Sequence, residues 1–138
     1  MTENSKVTPR ELAMAAIGAM KRSYSPYSNF TVGAALLTKS GRIYTGANIE
    51  NASYTPSVCA ERVAIFSAVH DGERELEAIA IVGGHNGSIK GVTAPCGVCR
   101  QVMSEFCSPD FKVILVTSEE GDYEITTLGE LLPYCFKL

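Results

Sequence analysis

The sequence predicts an α/β fold: a mixed five-stranded sheet covered by helices on both faces, in a single domain spanning residues 1–138. Three observations predict it. Segments with helical and strand spacing follow one another in the order α-β-β-α-β-α-β-β-α, with no repeat, low-complexity tract or linker between them. The 138 residues are one domain's worth, and 46% of them are hydrophobic, an ordinary share for a globular fold. A chain of this size buries roughly two-thirds of the surface its unfolded form exposes, so it holds a core without disulfide staples.

Thr8-Pro9-Arg10-Glu11 is a capping box with proline at the first helical position. Leu12, Ala15, Ala16, Ala19 and Met20 then recur at helical spacing, and this first helix ends near Arg22. After the turn-rich stretch Ser23 to Asn29, the alternation of Phe30, Val32, Ala34 and Leu36 predicts a strand. Lys39-Ser40-Gly41-Arg42 turns it into a hairpin with Ile43 to Ala47. Asn48 to Thr55 is polar and irregular, and Pro56 is expected to open a second helix through Val58, Ala60, Val63, Ala64, Phe66 and Ala68, closed by Asp71-Gly72. Leu76 to Val82 is a near-continuous apolar run, short enough for a buried strand, and Gly83 to Ala94 is a glycine-bearing loop. A third helix is expected from Pro95 through Val102, Met103 and Phe106 to the Ser108-Pro109 break. Strands at Val113 to Val116 and Tyr123 to Thr126 flank the turn Glu119-Glu120-Gly121-Asp122. Thr127-Leu128-Gly129-Glu130 is a second capping box, for a short terminal helix.

Charge and patterning exclude several classes of partner. With 12 basic against 15 acidic residues, a net charge of -3 and no Lys/Arg cluster, the chain lacks the footprint of a nucleic-acid polymer binder. The longest apolar runs, such as Ala78 to Val82, fall far short of the roughly 20 residues a membrane helix needs. Met1 to Lys6 reads as a loose arm with no apolar secretory core, so the expected location is the cytoplasm, with no membrane partner.

Five cysteines are then expected in a reducing compartment, where thiols bind metal or stay free. Cys96-Gly97-Val98-Cys99 is a Cys-x-x-Cys, and Cys59 lies 37 positions upstream of it. A redox pair is the competing reading, but a thioredoxin-like pair follows a first βα unit and this one sits late in the chain. Cys59 is expected in the first turns of helix two, and Cys96 and Cys99 in the same part of helix three. Helix N-termini lower thiol pKa and favour the thiolates that a metal requires. Three sulfur ligands favour tetrahedral zinc, one Zn²⁺ per chain, and leave the fourth position for water, as in a catalytic centre. Cys107 and Cys135 stand outside this pattern and read as small hydrophobes. Neither His70 nor His85 has ligand spacing.

Cys59-Ala60-Glu61 together with Pro95-Cys96-x-x-Cys99 resembles the zinc nucleoside deaminase signature, with a cysteine as first ligand. The likeness extends from Tyr27 to Phe136 and is carried by Pro26-Tyr27-Ser28-Asn29-Phe30-x-Val32-Gly33-Ala34-Ala35, Gly46-x-Asn48-x-Glu50-Asn51-Ala52-Ser53-Tyr54, Cys59-Ala60-Glu61-Arg62 and Ala94-Pro95-Cys96-Gly97-x-Cys99-Arg100-Gln101. On these segments the chain is similar to the small cytidine deaminases. The resemblance implies a cytidine deaminase-like fold and hydrolysis of cytidine and deoxycytidine to uridine, deoxyuridine and ammonia, in pyrimidine salvage. It implies Cys59, Cys96 and Cys99 as metal ligands and Glu61 as the proton-transferring catalytic residue. Substrate contacts are implied at Phe30, at Asn48 and Glu50 on the ribose, at the Ala60 backbone, and at Tyr54 and Phe136. A homotetramer is implied as well, its sites completed by neighbouring subunits. Arg62, three positions after Cys59 on one helix face, is expected to hydrogen-bond a ligand sulfur and offset the charge of three thiolates. Two alternatives share the zinc: deamination of a modified cytosine nucleoside such as blasticidin S, and an interaction module built on structural zinc, which would need a fourth protein ligand.

Overall fold

The computed structural model describes residues 7–138; the reading of residues 1–6 as an arm lies outside them. Elements follow in the expected order: α1 (Pro9–Met20), β1 (Phe30–Thr38), β2 (Ile43–Ala47), α2 (Ala60–His70), β3 (Leu76–His85), α3 (Gly97–Phe106), β4 (Lys112–Val116), β5 (Tyr123–Thr127) and α4 (Leu128–Leu131). The strands form one mixed sheet in the order β2-β1-β3-β4-β5. Only β3 and β4 run parallel, and α3 lies in the crossover that a parallel pair requires. Both threonines of the predicted capping boxes act as N-caps: Thr8 Oγ1 accepts from Glu11 N at 3.1 Å, and Thr127 Oγ1 accepts from Glu130 N at 3.3 Å.

Strand alternation sorts the apolar side chains into two cores, one on each face of the sheet. Ala34 and Leu36 of β1, Ile79 and Ile81 of β3, and Val113 and Leu115 of β4 meet Ala64, Ile65, Cys99 and Met103 of α2 and α3, with Leu128 of α4. The intervening positions, Ala35, Leu37, Ala78, Ala80, Val82, Ile114 and Val116, meet Leu12, Ala13, Ala16 and Met20 of α1 on the other face. β3 is central and covered on both sides, which is why its sequence is apolar at nearly every position. Cys107 is packed into the first core, and burial pushes its thiol up to about 12.

Two glycines let the helices approach the sheet backbone to backbone. A Cβ on Gly46 would stand 2.4 Å from the Ala60 carbonyl oxygen at the start of α2, and one on Gly33 would stand 2.1 Å from the Ala16 carbonyl oxygen of α1. The Gly46 contact presses the first turn of α2 against β2, which sets the height at which Cys59 and Glu61 emerge.

The structure corrects three sequence boundaries. Helix two begins at Ala60 and not after Pro56, because Val58 spends its N–H and C=O on a two-way bridge with Ile49, at 2.9 and 3.0 Å. Cys59 is therefore the N-cap of α2 with extended backbone, and Cys96, not Pro95, is the residue before α3. Strand β3 continues to His85, because Gly83 and Gly84 still pair with Val32 and Thr31 of β1. No helix among the described residues is long and apolar enough to cross a membrane.

Candidate active site

The bridge that delays α2 also builds the site. Tyr24 N donates to the Asn48 carbonyl at 3.0 Å, Glu50 N donates to the Tyr24 carbonyl at 2.8 Å, and Ile49 pairs with Val58 next to Cys59. The polar loop after β2 is thereby fastened beside the N-terminus of α2. Across from it, α3 brings Cys96 and Cys99.

The three cysteines converge. Cys59 Sγ lies 3.7 Å from Cys96 Sγ, Cys96 Sγ lies 3.5 Å from Cys99 Sγ, and the three sulfurs all lie within 4.8 Å of one another. Tetrahedral zinc with bonds of about 2.3 Å holds its sulfurs about 3.8 Å apart, so the donor set fits that ion in both chemistry and spacing. Among the described residues no fourth His, Cys, Asp or Glu joins this group. Cys96 Sγ also accepts the Cys99 N–H at 3.5 Å, whereas the Cys59 side chain caps nothing. Hydrogen bonding from Cys99 and from Arg62 holds the Cys59 thiol down at about 5, against the opposing effect of burial. The same bond to Cys59, reinforced by burial, holds the Cys99 thiol above its ordinary value.

Arg62 Nη2 donates to Cys59 Sγ at 3.5 Å. Its residue is half-buried, and neither ion pair among the described residues, Arg10–Asp122 or Arg42–Asp71, includes it. Glu61 is 3% exposed, and its Oε1 is buried without a hydrogen-bond partner. Burial first, then the neighbouring Cys59 charge, pushes its carboxyl up to about 7. An unpartnered carboxyl oxygen in such a place is costly unless something else meets it. What it faces is a cavity of about 300 Å³, lined by Val32, Asn48, Glu50, Cys59, Thr93 and Cys96, among others.

The other residues named from the sequence are distributed more widely. Asn48 and Glu50 both line the cavity, yet both are already engaged by the protein. Asn48 Oδ1 accepts from Val32 N at 2.9 Å and from the Ser23 hydroxyl, while Nδ2 donates to the Phe30 carbonyl at 2.9 Å, leaving one N–H uncommitted. Glu50 accepts from Tyr27 N at 3.0 Å, Ser28 N at 3.1 Å and the Ser28 hydroxyl; that hydroxyl above all holds its carboxyl below the usual range. Phe30 lines an adjoining cavity, which shares Thr93 with the first, and its ring meets His85 edge to face at 5.1 Å. Tyr54, in the left-handed region at φ 63°, is 77% exposed and borders a further recess with Tyr27, joined to the first by Glu50 and Ser57. Ala60 is buried at the first position of α2, and neither it nor Phe136 lines any of these cavities. Ser57 and Val58 also line the main cavity and were not singled out by sequence; their position just before Cys59 was the only signal.

The chain is similar to known proteins in sequence and in fold. Residues 7–115 match the family model for the cytidine and deoxycytidylate deaminase zinc-binding region. A cytidine deaminase from Halalkalibacterium halodurans is 50% identical over 121 residues, 88% of each chain, and one from Sporosarcina psychrophila is 49% identical over 118 residues, 86% of this chain and 83% of its own. The crystal structure of a cytidine deaminase from Burkholderia pseudomallei superposes with a TM-score of 0.85 at 48% identity, covering 94% of this chain and 100% of that one. With three sulfurs at zinc spacing beside a buried carboxyl, on a sheet of matching topology, the chain belongs to the cytidine and deoxycytidylate deaminase family.

Proposed function

We propose that the chain is a hydrolase that removes the C4 amine of cytidine and deoxycytidine, with zinc held by Cys59, Cys96 and Cys99. The observation that carries this reading is the unpartnered Glu61 oxygen in the cavity beside the sulfur cluster. Bound zinc supplies Lewis acidity, which makes a nucleophilic oxygen available near neutral pH. Glu61 supplies the proton traffic. Its Oε1 takes a proton from the attacking water and passes it to ring N3 as oxygen adds to C4; the carboxylate then takes the second proton from that oxygen and delivers it to N4 as the C–N bond breaks, C4=O forms and ammonia leaves. Water and cytidine thereby become uridine and ammonia, with no net change in the enzyme.

Asn48 presents its one free N–H, and Glu50 a carboxylate already ordered by Ser28, to the sugar hydroxyls. That pairing supports an ordinary ribose over the sugar substitute of blasticidin S. Ala60, at the open N-terminus of α2, offers its backbone N–H to the pyrimidine edge, and Phe30 and Tyr54 frame the nucleoside. A continuous assay tests the whole reading: loss of cytidine absorbance on adding protein, with deoxycytidine, cytosine, adenosine and blasticidin S in parallel. Turnover of blasticidin S without turnover of cytidine refutes it.

Arg62 offsets charge. Three thiolates around a dication leave one net negative charge, which weakens the Lewis acid, and a guanidinium on Cys59 Sγ withdraws some of it. Arg62→Gln is expected to lower kcat and to speed zinc loss to a chelator, each by about tenfold, with the far-UV spectrum unchanged. A change in one without the other contradicts this role.

We also read residues 1–138 as one domain, supported by the single sheet against which the described helices pack, working in the cytoplasm in pyrimidine salvage. A reducing compartment suits a site that needs thiolates. The assembly is a homotetramer, in which Phe136 reaches a neighbour's site; its 66% exposure and that of Tyr54 support this. Sedimentation velocity on active protein is expected to show four chains, and a fully active monomer overturns the assembly and the Phe136 role together.

A further inference from the structure

Arg100 directly follows Cys99 on α3, and its half-buried guanidinium donates in two directions. Nε reaches the Pro95 carbonyl at 2.8 Å, and Nη1 reaches the Leu131 carbonyl at 2.7 Å. The first carbonyl belongs to the peptide that enters Cys96; the second belongs to the last residue of α4. Each needs a donor. Pro95 is buried, and the last carbonyls of a helix have no partner within it. Arg100 takes part in neither ion pair found among the described residues, so its fork is spent on backbone. The next residue repeats the grip, with Gln101 Nε2 donating to the Phe136 carbonyl at 3.0 Å.

We infer that Arg100 is a positioning residue: it pins the peptide leading into Cys96 to the end of α4 and so preorganises the three sulfurs for zinc. This rests on Cys96 being a zinc ligand. Cys96 is the exposed member of the cluster and lies outside the helix, with extended backbone at φ -69° and ψ 168°. Its sulfur keeps its place only as well as the peptide before it does. A planar fork fixes that peptide in both distance and direction, whereas a lysine ammonium satisfies one carbonyl as a point donor and leaves the other.

The test measures zinc release from the full chain to an excess of a chromogenic chelator, at a temperature where circular dichroism shows every variant folded. Arg100→Lys keeps charge and stem; Thr127→Ala loosens α4 from its other end, by removing its N-cap, without touching Pro95. Both are expected to lower the thermal midpoint. Only Arg100→Lys is expected to release zinc faster, by at least about tenfold, with Thr127→Ala within about twofold of the wild type. Release from Arg100→Lys at the wild-type rate, or equal acceleration in Thr127→Ala, overturns the inference. Arg100→Gln, which donates to one carbonyl at most, is judged by the same criterion if the lysine variant does not fold. Failure of both to fold with zinc present assigns Arg100 to the fold alone and overturns the inference too. A wild-type chain that binds no zinc refutes the ligand reading itself, a result separate from any difference among these variants.

Discussion

Glu61→Gln is expected to keep the fold and the zinc and to lose cytidine deamination by at least about 100-fold, because in the proposed mechanism one carboxyl serves successive proton transfers and each is worth a large factor. Glutamine matches the shape and fills the same buried position, so packing of the α2 first turn is preserved. What it lacks is an exchangeable proton on a group whose affinity for it lies near neutrality. Burial has already raised the Glu61 carboxyl to about 7, which suits alternate uptake and delivery. The measurement is kcat against KM for cytidine, with zinc content determined on the same sample. A loss confined to kcat fits a role in the chemical steps, whereas near-normal kcat removes Glu61 from the mechanism.

Cys96→Ala is the second large effect. With one of three ligands gone, the zinc content after dialysis against a chelator is expected to fall from one per chain towards zero. Deamination is expected to fall at least about a thousandfold, because the Lewis-acid contribution amounts to several kcal/mol and each 1.4 kcal/mol is a factor of ten. The variant is nonetheless expected to remain folded, with a lowered thermal midpoint. Its two apolar cores lie on opposite faces of the sheet, and neither includes Cys96. Mass spectrometry under native conditions and a thermal melt check both halves. Full activity in protein without zinc would refute the metal assignment, and complete unfolding would make the zinc structural.

Local signals were legible in the sequence, and competitions between signals were not. Element order, both threonine N-caps and the buried character of β3 follow from periodicities and short patterns whose partners lie a few residues away. The start of α2 did not follow. Pro56 is a good first helical residue, but Val58 is claimed by Ile49, and a bridge between two irregular segments leaves no periodic trace. The convergence of Cys59, Cys96 and Cys99 was readable because metal-binding chemistry is tied to residue type and spacing, whereas Glu61 was singled out only through the family resemblance. Asn48 shows the limit: its type fits a sugar contact, yet most of its hydrogen-bonding capacity goes to Val32, Phe30 and Ser23. Sequence displays a side chain's donors and acceptors without showing where they are already spent.

The place of β3 between α2 and α3 along the chain has a consequence for the time course of folding. Cys59 and Cys96 are 37 residues apart, and the intervening chain includes the central strand of the sheet. The sulfurs are therefore expected to meet only after β3 has inserted between β1 and β4, so that the ion acts on a scaffold already assembled. Stabilisation that arises after the transition state slows unfolding and leaves refolding alone. Stopped-flow refolding is therefore expected to run at the same rate with zinc or with chelator, while the unfolding limb slows when zinc is present; a refolding rate that rises with zinc would place the metal in the nucleus.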